Sequence, residues 1–387
     1  MPIKAGFMKL DILIDSDKFF TRLRNDIRDA AKNIYIQAMT FEADDAGYRL
    51  CDLLFNSPVK DIRILIDCYI KAMISDKFLY SAANIFNRAL KDEYRKTRQL
   101  IRQLNNSGIP VKLTNPLGLL FILFADRNHK KLIVIDDHIA YIGGINFSDH
   151  NFLWHDMMLR IQHEDIAGFL KKDFLLSWSG RNQRASQSFD GLELFIFNGK
   201  SNERDFESIF EKIGQAKKSI FIESPYLTFP FYEKLRQARK RGVDITMICP
   251  EKNNMWIAQK YTYWEAQRSD ISLRLFKDMT HLKAMLIDDD YLIVGSSNFD
   301  CFSYSLHPEI VAVIRDADTI QFFKTHVAQS DRNRSISWTG QTPNSLGFLR
   351  YLLIRAVYLL SVGASRLSGK INGQKMGAAI LNRPIKT

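Results

Sequence analysis

One pattern, HxKxxxxD, occurs twice in this chain: as His129-Lys130-Lys131-Leu132-Ile133-Val134-Ile135-Asp136 and as His281-Leu282-Lys283-Ala284-Met285-Leu286-Ile287-Asp288. The residues between the lysine and the aspartate are apolar in both copies, as expected of a buried strand. The match continues downstream, where Gly143-Gly144-Ile145-Asn146-Phe147 corresponds to Gly295-Ser296-Ser297-Asn298-Phe299. One such motif can arise by chance, but two with matching flanks indicate a duplicated unit.

The sequence upstream of each motif repeats as well, as three apolar segments in the same order. They are residues 34–36, 62–66 and 111–113 in the first half, and residues 220–222, 243–248 and 271–276 in the second. Strand segments that alternate with helical ones favour a sheet covered by helices. We therefore predict an α/β fold of two pseudo-symmetric lobes, each a mostly parallel sheet covered by helices. Only the first half carries an additional predicted helical stretch, residues 76–106.

Length and charge define the predicted domains. The 387 residues exceed what a single hydrophobic core usually accommodates, so we predict lobes at residues 1–190 and 191–330 and a basic tail at 331–387. Hydrophobic residues make up 46% and charged residues 25%, which excludes a disordered chain and a polytopic membrane protein. Most of the net charge of +11 lies in the tail, which suits an anionic partner, either phospholipid headgroups or nucleic acid. Solubility is the alternative explanation of this charge.

The cysteines and histidines give no sign of a disulfide framework or a metal site. The four cysteines are Cys51, Cys68, Cys249 and Cys301, and their spacing shows no pairing. No secretory leader opens the chain, so we expect reduced thiols and a cytoplasmic location. The histidines at 150, 155 and 163 lack the thiol or carboxylate pattern of metal ligands. We therefore expect no metal ion and no cofactor.

The motif histidines and lysines have the composition of a phosphodiester site. Residues two apart on a strand point to the same face, so His129 shares a face with Lys131 and His281 with Lys283. If the two strands meet at a pseudo-twofold axis, these side chains converge on one site. Two ammonium groups can neutralise a phosphodiester without a metal ion. One neutral imidazole can attack phosphorus while the other, protonated, donates to the departing alkoxide.

The glycine- and asparagine-containing segments after the motifs supply candidate substrate-binding groups. The side-chain amides of Asn146 and Asn298 and the hydroxyl of Ser296 are expected to donate hydrogen bonds to the phosphate oxygens. Gly144 occupies the position of Ser296 in the first copy and is assigned to the same substrate-binding group. Both halves of the site would thus contribute donors.

Two pairs of acids complete the predicted site. Asp156 and Glu309 follow the two motifs at nearly the same distance, on the next predicted strands. A carboxylate that accepts from the far ring nitrogen of a histidine fixes its tautomer, and these two residues are the candidates. Asp136 and Asp288, which end the motifs, are expected to be structural instead.

The duplicated HxKxxxxD motif resembles the phospholipase D superfamily, and the flanking residues are most similar to bacterial cardiolipin synthases. The similarity covers about residues 9–325 and is carried by three groups of stretches: residues 34–37 with the acidic residues 41–45; residues 127–131, 143–146 and 154–156; and residues 224–226 with 241–244. One departure is that Leu306-His307-Pro308-Glu309 lacks the asparagine expected beside the glutamate. Another is that no pair of transmembrane helices opens the chain.

The resemblance implies roles for the site residues. By it, His129 is the nucleophile that forms a phosphatidyl-histidine and His281 is the general acid. It also implies that each acid supports the histidine of the opposite repeat, Glu309 with His129 and Asp156 with His281. Because one chain supplies both halves of the site, a dimer is not required.

Two apolar segments are candidates for membrane attachment. Residues 117–124 form either a buried strand or a loop that dips into the membrane. Residues 346–367 are apolar but interrupted by arginines, and their longest charge-free part, residues 356–365, is shorter than a bilayer crossing requires. We predict an in-plane amphipathic helix with its leucines on one face; packing against the rest of the protein is the competing account. The expected location is the cytoplasmic face of a bacterial membrane, without a transmembrane helix.

The leading functional hypothesis is a phosphatidyltransferase. Phosphatidylglycerol would donate its phosphatidyl group to His129, glycerol would leave, and a second lipid alcohol would resolve the intermediate to give cardiolipin. A phospholipase D that uses water as the acceptor and a nuclease of the same superfamily are the enzymatic alternatives. Nucleic acid is disfavoured because a nuclease has no use for an amphipathic C-terminal segment. A membrane scaffold is disfavoured because both motifs are complete.

Overall fold

The computed structural model describes residues 8–200 and 202–371, which form two compact units. The first contains the described residues up to Leu153, Met157–Gln183 and the described residues from Ser365, and the second contains Trp154–Asp156 and the described residues of Arg184–Ala364. The division falls after Gln183 rather than at the predicted residue 190, because the strand Ala185–Phe189 pairs within the sheet of the second unit. Residues 331–364 likewise belong to the second unit rather than to a separate tail.

The first unit is a seven-stranded sheet with helices, and its core is one apolar cluster of sheet and helix residues. Its strands are β1 (Lys9–Ile14), β2 (Asn33–Ala38), β3 (Asp61–Asp67), β4 (Met73–Ile74), β5 (Lys77–Phe78), β6 (Val111–Thr114), β7 (Leu132–Ile135), β8 (Ile139–Gly143) and β9 (Met157–Gln162). Its helices are α1 (Asp15–Arg28), α2 (Asp45–Phe55), α3 (Arg88–Asn106), α4 (Asp149–Phe152) and α5 (Glu164–Trp178), with 3-10 turns at Cys68–Lys71 and Leu119–Phe121. The sheet order is β1-β9-β8-β7-β2-β3-β6, and β4 and β5 form a separate hairpin.

The second unit contains a nine-stranded sheet with its own apolar core. Its strands are β10 (Ala185–Phe189), β11 (Leu192–Asn198), β12 (Ser219–Glu223), β13 (Asp244–Pro250), β14 (Ser272–Phe276), β15 (Ala284–Ile287), β16 (Tyr291–Gly295), β17 (Pro308–Ile314) and β18 (Ser335–Ser337). Its helices are α6 (Glu203–Gln215), α7 (Phe231–Lys240), α8 (Trp256–Arg268), α9 (Cys301–Ser305), α10 (Ala317–Phe323), the π-helical turn Lys324–Ala328 and α11 (Gln329–Arg334). The last helix, α12 (Asn344–Ile371), begins in this unit. The sheet order is β10-β11-β17-β16-β15-β12-β13-β14-β18.

The two sheets repeat one arrangement, which confirms the predicted duplication. In each, the three strands expected from the sequence are adjacent and parallel, as β2-β3-β6 and as β12-β13-β14. The prediction of mostly parallel sheets is wrong, because every other pairing in these two sheets is antiparallel. Two of these pairings, β7–β8 and β15–β16, are antiparallel because turns of three residues join the strands, which is too short for a parallel crossover.

The additional stretch in the first half is helical only in its second part. The chain forms the β4–β5 hairpin and a series of turns up to residue 87, and α3 begins at Arg88, capped by the Asn87 side chain. The earlier part of the predicted helix is interrupted by Ser75 and Asp76, whose positive φ angles form the hairpin turn. Helical spacing alone did not reveal that turn.

The aspartate that ends each motif anchors the sheet. Asp136 Oδ2 accepts from the backbone N–H of Ala31 at 2.7 Å, and its Oδ1 accepts from Lys32 at 2.7 Å and Asn33 at 3.2 Å. Asp288 repeats these bonds with residues 217–219 at 2.6–2.9 Å. Both aspartates have positive φ, 53° and 52°, at the start of the hairpin turn. Each carboxylate thus binds the backbone at the start of the neighbouring strand.

The helix α12 packs by one face and exposes the other. Gly347, Tyr351 and Ile354 face the second unit, and a Cβ atom at Gly347 would lie only 2.0 Å from the Trp264 ring. Its leucines are exposed, namely Leu346, Leu349, Leu352, Leu353, Leu359, Leu360 and Leu367. The predicted apolar face therefore exists, and the competing account, packing against the protein, holds for the opposite face. Lys375, Arg383 and Lys386 of the predicted tail lie outside the described residues.

By length and composition, the segment Asn344–Ser368 is also apolar enough to cross a bilayer, and little of it is buried. A helix that spans the bilayer was not expected here, because the longest charge-free run of the segment has only ten residues. The helix α12 is much longer than this charge-free run, and the arginines of the segment lie within it without interrupting it.

The apolar run at residues 117–124 is a loop and not a buried strand. Leu119 is 81% exposed and Leu120 is 85% exposed, and Ile122 is also exposed. Leu120 and Phe121 have positive φ angles of 51° and 59°, which are unfavourable for large side chains. Phe121 packs on Phe78 at 5.6 Å between ring centroids, so the loop is held at its base while its leucines point outward.

Replacing Asp136 tests the anchor. Asp136→Ala should lower the free energy of unfolding by about 2–4 kcal/mol, because three backbone N–H groups lose their acceptor and alanine is strained at positive φ. Asp136→Asn keeps one acceptor oxygen, and asparagine tolerates a positive φ angle. The decrease in the free energy of unfolding should therefore be about half as large. Urea denaturation measures both, with the exposed Asp52→Asn as control. Equal stability of the alanine variant and the control would contradict the role.

Candidate active site

The motif histidines and lysines lie in extended segments just before β7 and β15, rather than on these strands as predicted. All four side chains are buried. Lys131 Nζ donates to the carbonyl oxygen of His129 at 2.9 Å, and Lys283 Nζ donates to that of His281 at 2.6 Å. Each ammonium group is thus held beside the histidine two residues earlier, and both repeats use the same contact.

His281 is paired with a carboxylate. Its Nδ1 lies 2.7 Å from Asp156 Oδ2, the pairing implied by the resemblance, and 2.9 Å from Lys283 Nζ. A carboxylate only accepts, so the Asp156 contact assigns the proton to Nδ1, and Lys283 is left to donate to the backbone carbonyl. The ring of Trp154 lies 4.9 Å from the His281 ring between centroids. The imidazole is therefore fixed, with Nε2 as its remaining ring nitrogen.

Burial makes Lys283 an unusual cation. It lowers the pKa of Lys283 to about 8, although the nearby carboxylates of Asp156, Glu309 and Asp300 act to raise it. An ammonium group that is poorly solvated interacts strongly with an incoming anion. Lys283 is thus suited to bind a phosphate group near neutral pH.

The second acid, Glu309, is fully buried on β17. Its carboxylate accepts from the hydroxyl groups of Ser296 and, at 2.8 Å, Ser303. The Ser296 hydroxyl was expected to bind the substrate, whereas in the structure it donates to Glu309. The pairing of Glu309 with His129 stays a prediction.

The two asparagines occupy matching positions but have different contacts. Asn146 Oδ1 accepts from the backbone N–H groups of Met39 at 3.1 Å and Thr40 at 3.2 Å. Asn298 Oδ1 is buried and has no hydrogen-bond partner among the described residues. The difference arises because Pro225, which has no N–H, stands where the first repeat has Met39.

Gly144 contributes a backbone hydrogen bond, and the glycine before it allows close packing of the backbone. The Gly144 N–H donates to the Met157 carbonyl at 3.1 Å, as Ser296 N–H does to Ile310 at 2.9 Å. A Cβ atom on Gly143 or Gly295 would lie 2.4 or 2.2 Å from a backbone oxygen of the next strand. These glycines allow the close approach of two strands, and a direct contact of Gly144 with substrate stays a prediction.

A residue that the sequence did not reveal supports the segment before His129. Asp67, at the end of β3, is fully buried and accepts from Arg127 Nη1 and from the backbone N–H of Asn128, both at 2.6 Å. Burial raises the pKa of Asp67 to about 6, and Arg127 opposes that shift. The only signal in the sequence is an acid at the end of a predicted strand.

Within the individual units, two clusters of described residues have the composition and spacing of metal ligands. They are Glu42, Asp44 and Glu93 in the first unit and His155, Glu223 and Asp331 in the second. In the second cluster the imidazole of His155 contacts Asp331 at 2.9 Å, so two of its three members already bind each other. The four cysteines are buried and free.

A duplicated α/β unit in which a His-x-Lys segment precedes a hairpin strand defines an enzyme of the phospholipase D superfamily. The chain belongs to the family described as cardiolipin synthase, PLD-like domain, which matches residues 23–178 and 209–330.

Relatives and solved structures agree with this family. The chain is 25% identical over 357 residues to cardiolipin synthase 1 of Staphylococcus epidermidis and 28% identical over 358 residues to cardiolipin synthase 2 of that organism, in each case over 83% of this chain and 68% of the relative. Among solved structures, phosphatidylserine synthase of Haemophilus influenzae has a TM-score of 0.66 at 15% identity, covering 91% of this chain and 94% of that one. This likeness shows the shared fold.

The pKa of Lys283 predicts a pH limit for substrate binding. Because the ammonium form is present below about pH 8 and lost above it, kcat/KM for a phosphodiester substrate should fall about tenfold per pH unit above that value. Lys283→Arg, which stays charged, should be less active but lack this fall. Initial rates between pH 6 and 10 measure both. An unchanged alkaline limb in the arginine variant would assign the fall to another group.

Proposed function

We propose that this protein is a phosphatidyltransferase of the cardiolipin synthase type, with phosphatidylglycerol as the donor. The observation that carries the proposal is that both HxKxxxxD copies are complete and hold their lysines in the same way, while His281 is paired with Asp156. The relatives named cardiolipin synthase support the lipid substrate.

In the first half of the proposed reaction, neutral His129 attacks the phosphorus of phosphatidylglycerol. The bond from phosphorus to the glycerol oxygen breaks, and His281 gives its Nε2 proton to that oxygen, so glycerol leaves and a phosphatidyl-histidine remains. Lys131 and Lys283 offset the charge of the phosphodiester throughout, without a metal ion or cofactor. Asp156 stabilises the imidazolium form of His281 before the transfer.

In the second half, His281 acts as the base. Its Nε2 takes the proton from the hydroxyl of a second lipid, whose oxygen attacks phosphorus and releases His129. When that lipid is phosphatidylglycerol the product is cardiolipin. The same steps with water as acceptor give phosphatidic acid, which makes hydrolysis an outcome of the same test.

We further propose that the protein binds anionic membranes peripherally, on the cytoplasmic face of a bacterial cell, through two exposed apolar surfaces. One is the loop with Leu119, Leu120 and Ile122, which ends a few residues before His129. The other is the leucine face of α12, a helix that also carries arginines suited to anionic headgroups. Large exposed aliphatic side chains on a strained loop favour contact with an apolar phase. Neither surface has a use in a nuclease.

Mass spectrometry of lipids tests the transfer. Purified protein incubated with phosphatidylglycerol vesicles should produce cardiolipin and glycerol. His129→Ala and His281→Ala should each reduce the rate by at least about 100-fold, since nucleophilic and acid–base roles have no substitute in the chain. The exposed His326→Ala is the matched control. Phosphatidic acid as the sole product would make the enzyme a phospholipase, and unchanged lipid would contradict the proposal.

Vesicle sedimentation tests the two apolar surfaces separately. Replacing Leu119, Leu120 and Ile122 together with serine, or Leu349, Leu353 and Leu360 together with serine, should each weaken binding by at least about tenfold, because three aliphatic side chains no longer enter the bilayer. Ile336→Ser, which changes an exposed aliphatic residue on β18, should bind like the unaltered protein. Equal binding by all variants would exclude both surfaces.

A further inference from the structure

A three-residue segment, Trp154–Asp156, delivers the carboxylate that pairs with His281. The segment belongs to the second unit although the strand after it belongs to the first. Its backbone is hydrogen-bonded on both sides of His155, whose N–H donates to the Met279 carbonyl at 2.9 Å and whose carbonyl accepts from His281 N–H at 2.7 Å. The location of Asp156 therefore depends on how this segment is fastened to residues 279–281.

The side chain of His155 provides such a fastening. It is buried, its ring is stacked on Phe276 at 5.0 Å between centroids, and its Nε2 lies 2.9 Å from Asp331 Oδ2. Asp331 is itself buried, on α11. The stack and the hydrogen bond hold the ring from its face and from its end, so they restrict rotation of the residue directly before Asp156.

His155 and Asp331 form a cluster with Glu223, which contacts Thr280, the residue directly before His281. Glu223 is fully buried and accepts from the hydroxyl of Thr280 at 2.5 Å. Burial, and then the Asp331 carboxylate, raise the pKa of Glu223.

The first repeat has different buried residues at the positions equivalent to this cluster. Gln37 pairs with the first residue of β7 as Glu223 pairs with the first residue of β15, and its amide donates to Asn128 at 2.9 Å. The buried charges there are Asp67 and Arg127 instead. An ionisable imidazole–carboxylate cluster thus stands behind His281 but has no counterpart at the matching positions behind His129.

We propose that His155 and Asp331 are positioning residues for the general acid: their buried contact fastens Trp154–Asp156 to residues 279–281 and so holds the Asp156 carboxylate against His281 Nδ1. The inference rests on the proposed function in one respect, the role of His281 as the acid. Neither residue takes part in bond making or breaking. Loosening the segment would misplace the Asp156 carboxylate, and a small misplacement of a catalytic group is costly in rate.

The variants Asp331→Asn and His155→Gln test the positioning role. The first removes the charge with little change in shape, and the second removes the stacked ring. Glu265→Gln is the matched control, because the buried Glu265 forms an ion pair with the partly buried Arg236 at 2.6 Å in the same unit, away from the described contacts of His281. Thermal unfolding of all three separates general destabilisation from the specific effect.

The first readout does not depend on activity. Proton NMR of the histidine-labelled protein should show a downfield Nδ1–H resonance of His281, assigned by its loss in His281→Asn. This resonance should disappear or move upfield in Asp331→Asn and His155→Gln and persist in Glu265→Gln. If it is unchanged in both cluster variants, the positioning proposal is overturned, whatever reaction the enzyme catalyses.

The second readout compares leaving groups. Release of glycerol from phosphatidylglycerol needs a proton from His281, whereas p-nitrophenolate leaves phosphatidyl-p-nitrophenol without one. Both cluster variants should lower the single-turnover rate of glycerol release by about 10- to 100-fold, and that of p-nitrophenol release by less than about threefold, because a single turnover excludes the second half-reaction in which His281 acts as the base. Equal losses on both substrates would mean a general structural defect and overturn the proposal. An unaltered protein that releases neither product would contradict the proposed function, while the NMR result would still decide the positioning.

Discussion

The carboxylate at the end of each motif is the constraint on which the rest of the structure depends. Asp136 and Asp288 each gather three consecutive backbone N–H groups at the start of the neighbouring strand, β2 or β12. This contact fixes the register between that strand and the motif strand. Since a strand is nearly rigid over four residues, fixing its far end also fixes the histidine and lysine that precede it.

Burial of the lysines has a chemical consequence. Lys131 and Lys283 are almost fully removed from water, and each donates to the backbone carbonyl of the histidine two residues earlier. A buried ammonium group gains more from a bound anion than a solvated one does. The lowered pKa of Lys283 reflects the free energy needed to remove its ammonium group from water. An anionic substrate is therefore the partner that the buried cations favour.

The two repeats share a backbone but differ in their buried chemistry. The register of β2 with β7 and of β12 with β15 places Gln37 and Glu223 at equivalent positions. One is a neutral amide paired with an amide, and the other is a carboxyl group beside His155. A duplicated frame with different buried groups offers a physical means by which two histidines that share one motif can take the opposite roles proposed for them.

The sequence alone determined the duplication, the family and the parallel strands, and it led us to expect a structural role for Asp136 and Asp288, because these depend on local pattern and on exact spacing. The antiparallel hairpins β7–β8 and β15–β16 follow from short turns that the hydrophobic pattern does not encode. Asp67 and the contact between His155 and Asp331 join residues far apart in the chain, and the role of Ser296 depends on which acceptor lies nearest. Only tertiary structure decides such contacts, since a buried polar group binds whichever partner the packing brings within reach.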